Sequence, residues 1–296
     1  MAMSIRRASS WTFCAGRAAA DRPAMRQART GPVATVAAAI SLAIAPGGMA
    51  LAACPTAGES VQVAGVEPNL DLLLADGRVV ALAGLAVDRE TSAFPALAAR
   101  LTGARVRLAL VDARPDRWGR VSALVYFDDD GRIGESDVAQ EAIMAGVGLY
   151  SPDPLVRDCR EAFLRAEGEA RAQARGLWLD PRRAVISASD LAAFEKAGKG
   201  LVVVEGIVSS IGERRGRIYL NFGPRRTVDF ALVISRRNLD LFDAATFPLR
   251  DLVGRRVRAR GLLDRAFGPY IEIDGPDALE MIGTTQGAPA RGGREG

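Results

Sequence analysis

Short apolar runs cut by glycine-bearing turns set the limits on what this chain folds into. Residues 70–74 and 79–85 flank Ala75-Asp76-Gly77-Arg78, and an Asp-Gly turn between apolar runs is a strong hairpin signal. A strand over 61–66 precedes that hairpin. A helix over 94–102, ended by Gly103, and strands over 105–111 and 121–126 follow it. Next come a helix over 136–145, with Ser136 as N-cap, and a longer one over 154–175 ended by Gly176. The longer helix gathers Cys159, Phe163, Ala166 and Ala170 on one face, the pattern of an amphipathic docking helix. Residues 179–188 read as a linker, and a helix over 189–196 opens the second part. Strands over 201–209, 217–222, 228–234, 257–263 and 270–273, with a helical stretch at 239–245, match the element order of an OB-type barrel. The fold class expected is therefore β-rich α+β.

The N-terminal fifty residues read as an export address. Arg6, Arg7, Arg17, Arg22, Arg26 and Arg29 face only Asp21, and residues 33–45 then form an uncharged apolar run. Pro46, Gly47 and Gly48 break that run before the small residues Ala50-Leu51-Ala52, which completes a secretory signal peptide. The apolar run is too short to cross a bilayer, which takes roughly 20 residues. Met25 offers a more ordinary start than Met1. The organisation expected is a signal peptide at 1–53, a first domain at 54–180, a linker at 181–188, a second domain at 189–282 and a disordered, Gly/Pro/Ala-rich tail at 283–296.

Export changes both the charge and the cysteine arithmetic. The whole chain holds 39 basic and 35 acidic side chains, but residues 1–53 hold six Arg and one Asp, leaving 33 against 34. The basic surplus belongs to the signal. Residues 54–185 count 16 basic and 20 acidic side chains, which argues against a nucleic-acid footprint there, while 186–282 count 15 and 13. With Cys14 removed, Cys54 and Cys159 remain as an even pair in an oxidising compartment, periplasmic or secreted, and a disulfide between them is expected. A competing reading stays open: Leu51-Ala52-Ala53-Cys54 has a lipobox pattern, which would make Cys54 a lipidated membrane anchor and leave Cys159 free.

The chain contains no His. That excludes Ser-His-Asp and Cys-His catalysis, imidazole metal ligands and a His general base, leaving carboxylates, Arg, hydroxyls and a hard cation as the means of catalysis. The scattered cysteines exclude a zinc or iron-sulfur site. Within that frame, residues 61–180 resemble the thermonuclease (staphylococcal-nuclease-like) family. The resemblance rests on Ala75-Asp76-Gly77-Arg78, Asp116-Arg117-Trp118-Gly119-Arg120, Gln140-Glu141-Ala142, Ala145-Gly146-Val147-Gly148-Leu149 and Gly176-Leu177-Trp178. It implies an OB-like five-stranded barrel with helices, here followed by a second OB-like barrel, and calcium-dependent cleavage of nucleic-acid phosphodiesters. That chemistry needs a hard cation on carboxylates, a carboxylate base and two Arg groups against the transition-state charge.

Carried over residue by residue, the family's metal-binding Asp falls on Leu70, its first catalytic Arg on Ala81, its second metal Asp on Ala86 and its general-base Glu on Arg89. Only the second Arg is matched, as Arg120, which reads equally as a relic phosphate contact or as an ion pair with Asp116. Arg117 and Trp118 stand where the family places a basic and an aromatic residue near the nucleotide, although plain turn packing suits Trp118. Asp71, Asp88 and Glu90 lie one or two positions from lost carboxylates, and a one-residue shift along a strand points the side chain to the other face. Asp128-Asp129-Asp130-Gly131 lacks the later acidic ligand of a calcium loop and reads as a hairpin turn. Without four of five functional groups, the expectation is a non-catalytic protein with a binding or envelope-structural role and no cofactor. The alternatives are a divergent calcium nuclease on Asp71, Asp88 or Glu90, and a single-strand binder using Tyr219, Phe222, Arg256 and Arg258 of the second barrel.

Overall fold

The computed structural model describes residues 54–283, except 57, 89, 130, 131, 135, 198, 199, 245–247 and 267. The expected signal peptide at 1–53 and most of the expected tail at 283–296 therefore lie outside the described residues. The first part of the chain builds β1 (Glu59–Val66), β2 (Leu72–Leu74), β3 (Val79–Leu82), β4 (Leu85–Val87), α1 (Phe94–Leu101), β5 (Arg105–Asp112) and β6 (Arg120–Asp129). It continues with β7 (Arg132–Ile133), α2 (Val138–Met144), β8 (Gly148–Tyr150) and α3 (Arg160–Ala172). Five of these strands close on themselves. β1 pairs with β2, β2 with β3, β3 in parallel with β6, β6 with β5 and β5 with β1. A register shift at Val63/Gly65 lets one strand serve two neighbours, β5 through its first half and β2 through its second.

Alternation explains the core. Val63, Leu72, Leu74, Val80 and Val106 point inward and are fully shielded, and α2 and α3 cover the closed sheet with Val138, Ile143 and Phe163. The hydrophobic run at 79–85 is not one strand, because Gly84 turns at φ +75° and divides β3 from β4. A Cβ on Gly84 would meet the Phe163 ring at 2.6 Å, so the backbone and α3 approach closely there. β4 leaves the closed sheet and pairs with β8. Asp137, not Ser136, caps α2, accepting from the backbone N–H of Ala139 and Gln140. The long helix is also shorter than its periodicity suggests: Val156 is non-helical, a 3-10 turn covers Pro154–Cys159, and Ala174 at φ 47° ends the helix before Gly176.

The second part builds β9 (Ile186–Ser187), α4 (Leu191–Lys196), β10 (Leu201–Ile207), β11 (Ser210–Arg214), β12 (Arg217–Asn221) and β13 (Ala231–Ser235). Then come α5 (Leu239–Ala244), β14 (Arg256–Asp264), β15 (Tyr270–Glu272) and β16 (Leu279–Met281). The pairing runs β11-β12-β13-β15-β14-β10-β9, with β13 parallel to β15 and β16 added on β14. Only Val208 and Ser209 separate β10 from β11. The stretch 181–188 is more than a tether, since β9 pairs with β10 and buries Ile186 in the second core.

The two parts meet along α3. Glu167 and Arg260 are each 1% exposed and share a 2.6 Å ion pair, and Arg260 also engages Glu280. Arg157 grips Asp277 through Nε and Nη2 at 2.8–3.0 Å, and Arg160 donates to the Leu279 carbonyl at 2.6 Å. Cys54 and Cys159 sit at disulfide distance, with Cα atoms 5.0 Å apart, tying the start of the described chain to the base of α3.

Candidate functional site

Arg120 opens β6 beside Val79 of β3, at the mouth of the closed sheet. A tight loop presents it: Asp116 accepts the backbone N–H of Trp118 and Arg120 at 2.9 and 3.0 Å, and Gly119 takes the left-handed conformation. The Asp116 carboxylate also receives Arg120 Nε and Nη2, at 3.0 and 2.8 Å. On the other side, Arg120 Nη1 lies 2.8 Å from the buried carboxylate of Asp71, which also accepts from Asn69. The Asp71 and Asp116 carboxylates hold the Arg120 guanidinium above its ordinary value. Desolvation would raise Asp116, but hydrogen bonds from the Arg120 backbone and side chain outweigh it and hold the carboxyl below its usual range.

Asp71 therefore faces Arg120 although strand parity argued against it. Leu70, at φ 64°, absorbs the extra residue and buries its own side chain in the core, which frees Asp71 to turn toward the loop. Two further positions that the resemblance singles out hold alanine. Ala81 pairs with Ser122 and Ala86 with Leu149. Arg89 lies outside the described residues. Asp88 belongs to a separate cluster, paired at 2.8 Å with Arg183 on the rim of a cleft of about 410 Å³, with Glu90 and Arg182 beside it. The structure thus joins Asp71 to Arg120 but places Asp88 and Glu90 at another cleft.

Calcium does not fit the residues around Arg120. Leu70 and Ala86 supply no side-chain oxygen, and the Asp71 carboxylate is already engaged by Asn69 and Arg120. A cation there would have to displace a guanidinium. Trp118 does not pack into the turn; it is 63% exposed, with Arg117 stacked 3.9 Å and Arg120 4.9 Å from its ring centroid. The Asp-rich segment does serve a hairpin, since β6 and β7 pair antiparallel through Asp128 and Asp129.

A second concavity lies on the outer face of β11, β12 and β13. On β12, Ile218 and Leu220 are buried, so Arg217, Tyr219 and Asn221 turn outward and line a cavity of about 350 Å³. Its far end is the loop carrying Arg225, Arg226 and Asp229, where Asp229 accepts the Arg225 backbone N–H at 2.8 Å and pairs with its guanidinium at 2.7 Å. The hydrogen bonds from Arg225 hold Asp229 below its ordinary value.

The residues of the alternative aromatic and basic track in the second part are largely engaged within the protein. Phe222 is half-buried and packs on Phe230 with centroids 5.2 Å apart. Arg256 and Arg258 are committed to Glu205, and Arg260 is sealed against Glu167. Arg214, Arg217 and Arg226 line the concavity with no ion pair shorter than 3.8 Å among the described residues, while Arg225 is committed to Asp229. No family description matches this chain, and no curated protein matches it.

Proposed function

We propose that this chain is an exported, thermonuclease-like protein that lacks the family's hydrolytic machinery and works by binding. In this reading an OB-like barrel carrying a degenerate site is followed by a second OB-like barrel. One observation carries it: Arg120, the single matched family group, is held between Asp71 and Asp116, while Leu70, Ala81 and Ala86 replace its expected companions. Hydrolysis of a phosphodiester needs an activated water and a stabilised, highly negative transition state; removing a single such donor typically slows a reaction on the order of a hundredfold or more. An arginine neutralised by two carboxylates acts instead as a clasp between β6 and the segment before β2.

The second barrel is supported by the pairing order and by the near-continuity of β10 and β11, which lets one bent strand serve both ends of the sheet. Export is supported by the N-terminal pattern together with the Cys54–Cys159 pair, which occupies the sulfur that a lipid thioether would need. A periplasmic or secreted location follows from that reading.

The test is incubation of the purified protein with single- and double-stranded DNA and RNA in calcium. No turnover above the blank is expected. Turnover that disappears in Arg120→Ala would overturn the proposal in favour of a divergent nuclease built on Asp71. The same substitution is expected to lower stability by about 1–2 kcal/mol, because it leaves the buried Asp71 carboxylate without its charged partner at a partly solvated site.

A further inference from the structure

The two parts of the protein do not close on each other along their whole length. Arg258, Arg260, Leu262 and Asp264 alternate onto the outer face of β14, and the first part covers only the beginning of that row. Arg260 lies opposite Val203, which packs with Leu149 and Leu177 of the first part, and both are shielded. Two residues further on, Leu262 lies opposite Leu201 and is 70% exposed. A cleft of about 1000 Å³ opens there, walled on the first-part side by Val87, Ser151, Pro152 and Pro154. It shares Ala86, Val87, Gly200 and Leu201 with the cleft of about 410 Å³ that holds Asp88 and Glu90, so the two form one groove between the parts.

Three features of the groove point to the same kind of ligand. Asp264, Glu272 and Asp274 line it, and among the described residues Asp264 and Asp274 accept only neutral donors, chiefly Tyr270 and Asn238, while Glu272 reaches Arg217 at 3.8 Å. Of the cations on the same lining, Arg260 is sealed against Glu167 and Arg265 donates to the carbonyls of Phe194 and Ala197, which leaves Arg237. Among the described residues no three acids converge closely enough to hold a metal ion, so each carboxylate takes a separate cationic group. The second feature is an open strand edge. The Ser151 N–H bonds to the Gly84 carbonyl and the Asp88 N–H to the Val147 carbonyl, an alternation that turns the N–H and C=O of Val87 away from β8. The third lies at the closed end, where Arg260 is 1% exposed and its Nε–H has no hydrogen-bond partner among the described residues.

We propose that this groove binds an extended, basic segment of polypeptide, its backbone added to the edge of β4 at Val87, its basic side chains on Asp264, Glu272 and Asp274, and an apolar side chain on Leu262. The proposal rests on the reading of the chain as a protein that works by binding. Successive side chains of an added strand point to opposite faces, so alternate residues meet the carboxylates and the apolar surface while the main chain supplies hydrogen bonds. A carbonyl wedged between Arg260 and the Pro152 wall gives the buried Nε–H its missing acceptor. A polyamine carries the charge but makes no use of Leu262 or of the Val87 edge. Nucleic acid brings phosphates against a wall of carboxylates.

The experiment uses the full chain, expressed with its N-terminal segment in place and purified as the cell processes it. Binding of a fluorescein-labelled hexapeptide of alternating Arg and Leu is followed by fluorescence anisotropy at several salt concentrations. Asp264→Asn/Asp274→Asn keeps the neutral hydrogen bonds and is expected to weaken binding about tenfold and to flatten its salt dependence. Leu262→Ser, at an exposed position, is expected to weaken binding about fivefold with the salt dependence unchanged. Two measurements need no variant to fold: N-methylation of the central peptide bonds of the probe is expected to weaken binding about fivefold, and a photo-crosslinking leucine in the probe should map to Val87 and Leu262. Spermine displacing the probe at equal charge concentration, indifference to N-methylation, or crosslinks confined to other surfaces would each overturn the groove. So would absence of binding at low salt. Cleavage of DNA or RNA in calcium would instead overturn the non-catalytic reading and leave the groove standing, so the two failures are distinguishable.

Discussion

The two parts of this protein use the same strand order for different electrostatic ends. In the first, β1 pairs with β2 and β5, and β3 lies parallel to β6; in the second, the β10–β11 stretch pairs with β12 and β14, and β13 lies parallel to β15. A helix precedes the next strand to join each sheet, α1 before β5 in one part and α5 before β14 in the other. Yet the arginine at the mouth of the first is neutralised by Asp71 and Asp116, whereas Arg214 and Arg226 of the second have no ion-pair partner among the described residues. Topology therefore fixes where a face can form. The side chains on the outward positions decide whether that face is closed by its own ion pairs or left to a ligand.

The largest test of this comparison lies where the two parts touch. Arg260→Ala would leave Glu167 charged, buried and without its main partner, and a loss of about 3–5 kcal/mol is expected in urea denaturation. If the parts are stabilised independently of this contact, the loss will be far smaller. Next is Cys159→Ser, which opens a link spanning 105 residues within the first part and is expected to cost about 2–4 kcal/mol. Because the link does not reach the second part, hydrogen exchange should accelerate mainly within residues 54–180.

The third prediction is a pH slope. Burial pushes the Asp137 carboxyl up to about 7, against the backbone N–H groups of Val125, Ala139 and Gln140 that favour its anion. A carboxyl raised on folding contributes stability below its unfolded value near 4 and loses that contribution as pH climbs through 7. Melting temperature should therefore fall over that window, and Asp137→Asn should flatten the fall. An unchanged slope in the variant would place the titration elsewhere.

Much of the fold was legible because it is local. The Asp-Gly turn, the alternating strands and the buried face of Cys159, Phe163, Ala166 and Ala170 follow from backbone preference and periodicity, and they stand where the sequence puts them. The parity argument failed at Asp71 because Asp71 lies outside the strand: Leu70 takes a positive φ and β2 begins only at Leu72, so alternation does not govern where the Asp71 carboxylate points. The engagement of Phe222, Arg256 and Arg258 inside the protein was not legible for another reason. Strand alternation says which residues share a face, but not which face a second part of the chain will cover.

The amino-acid sequence by itself determined the absence of imidazole chemistry and the pairing capacity of Cys54 with Cys159, since these depend only on which atoms are present. Tertiary structure alone decided that Arg120 is clasped by Asp71 and that Arg260 is buried against Glu167. The reason is that the charge of a side chain is set by its chemistry, but its availability depends on desolvation and on the partners that distant segments bring to it.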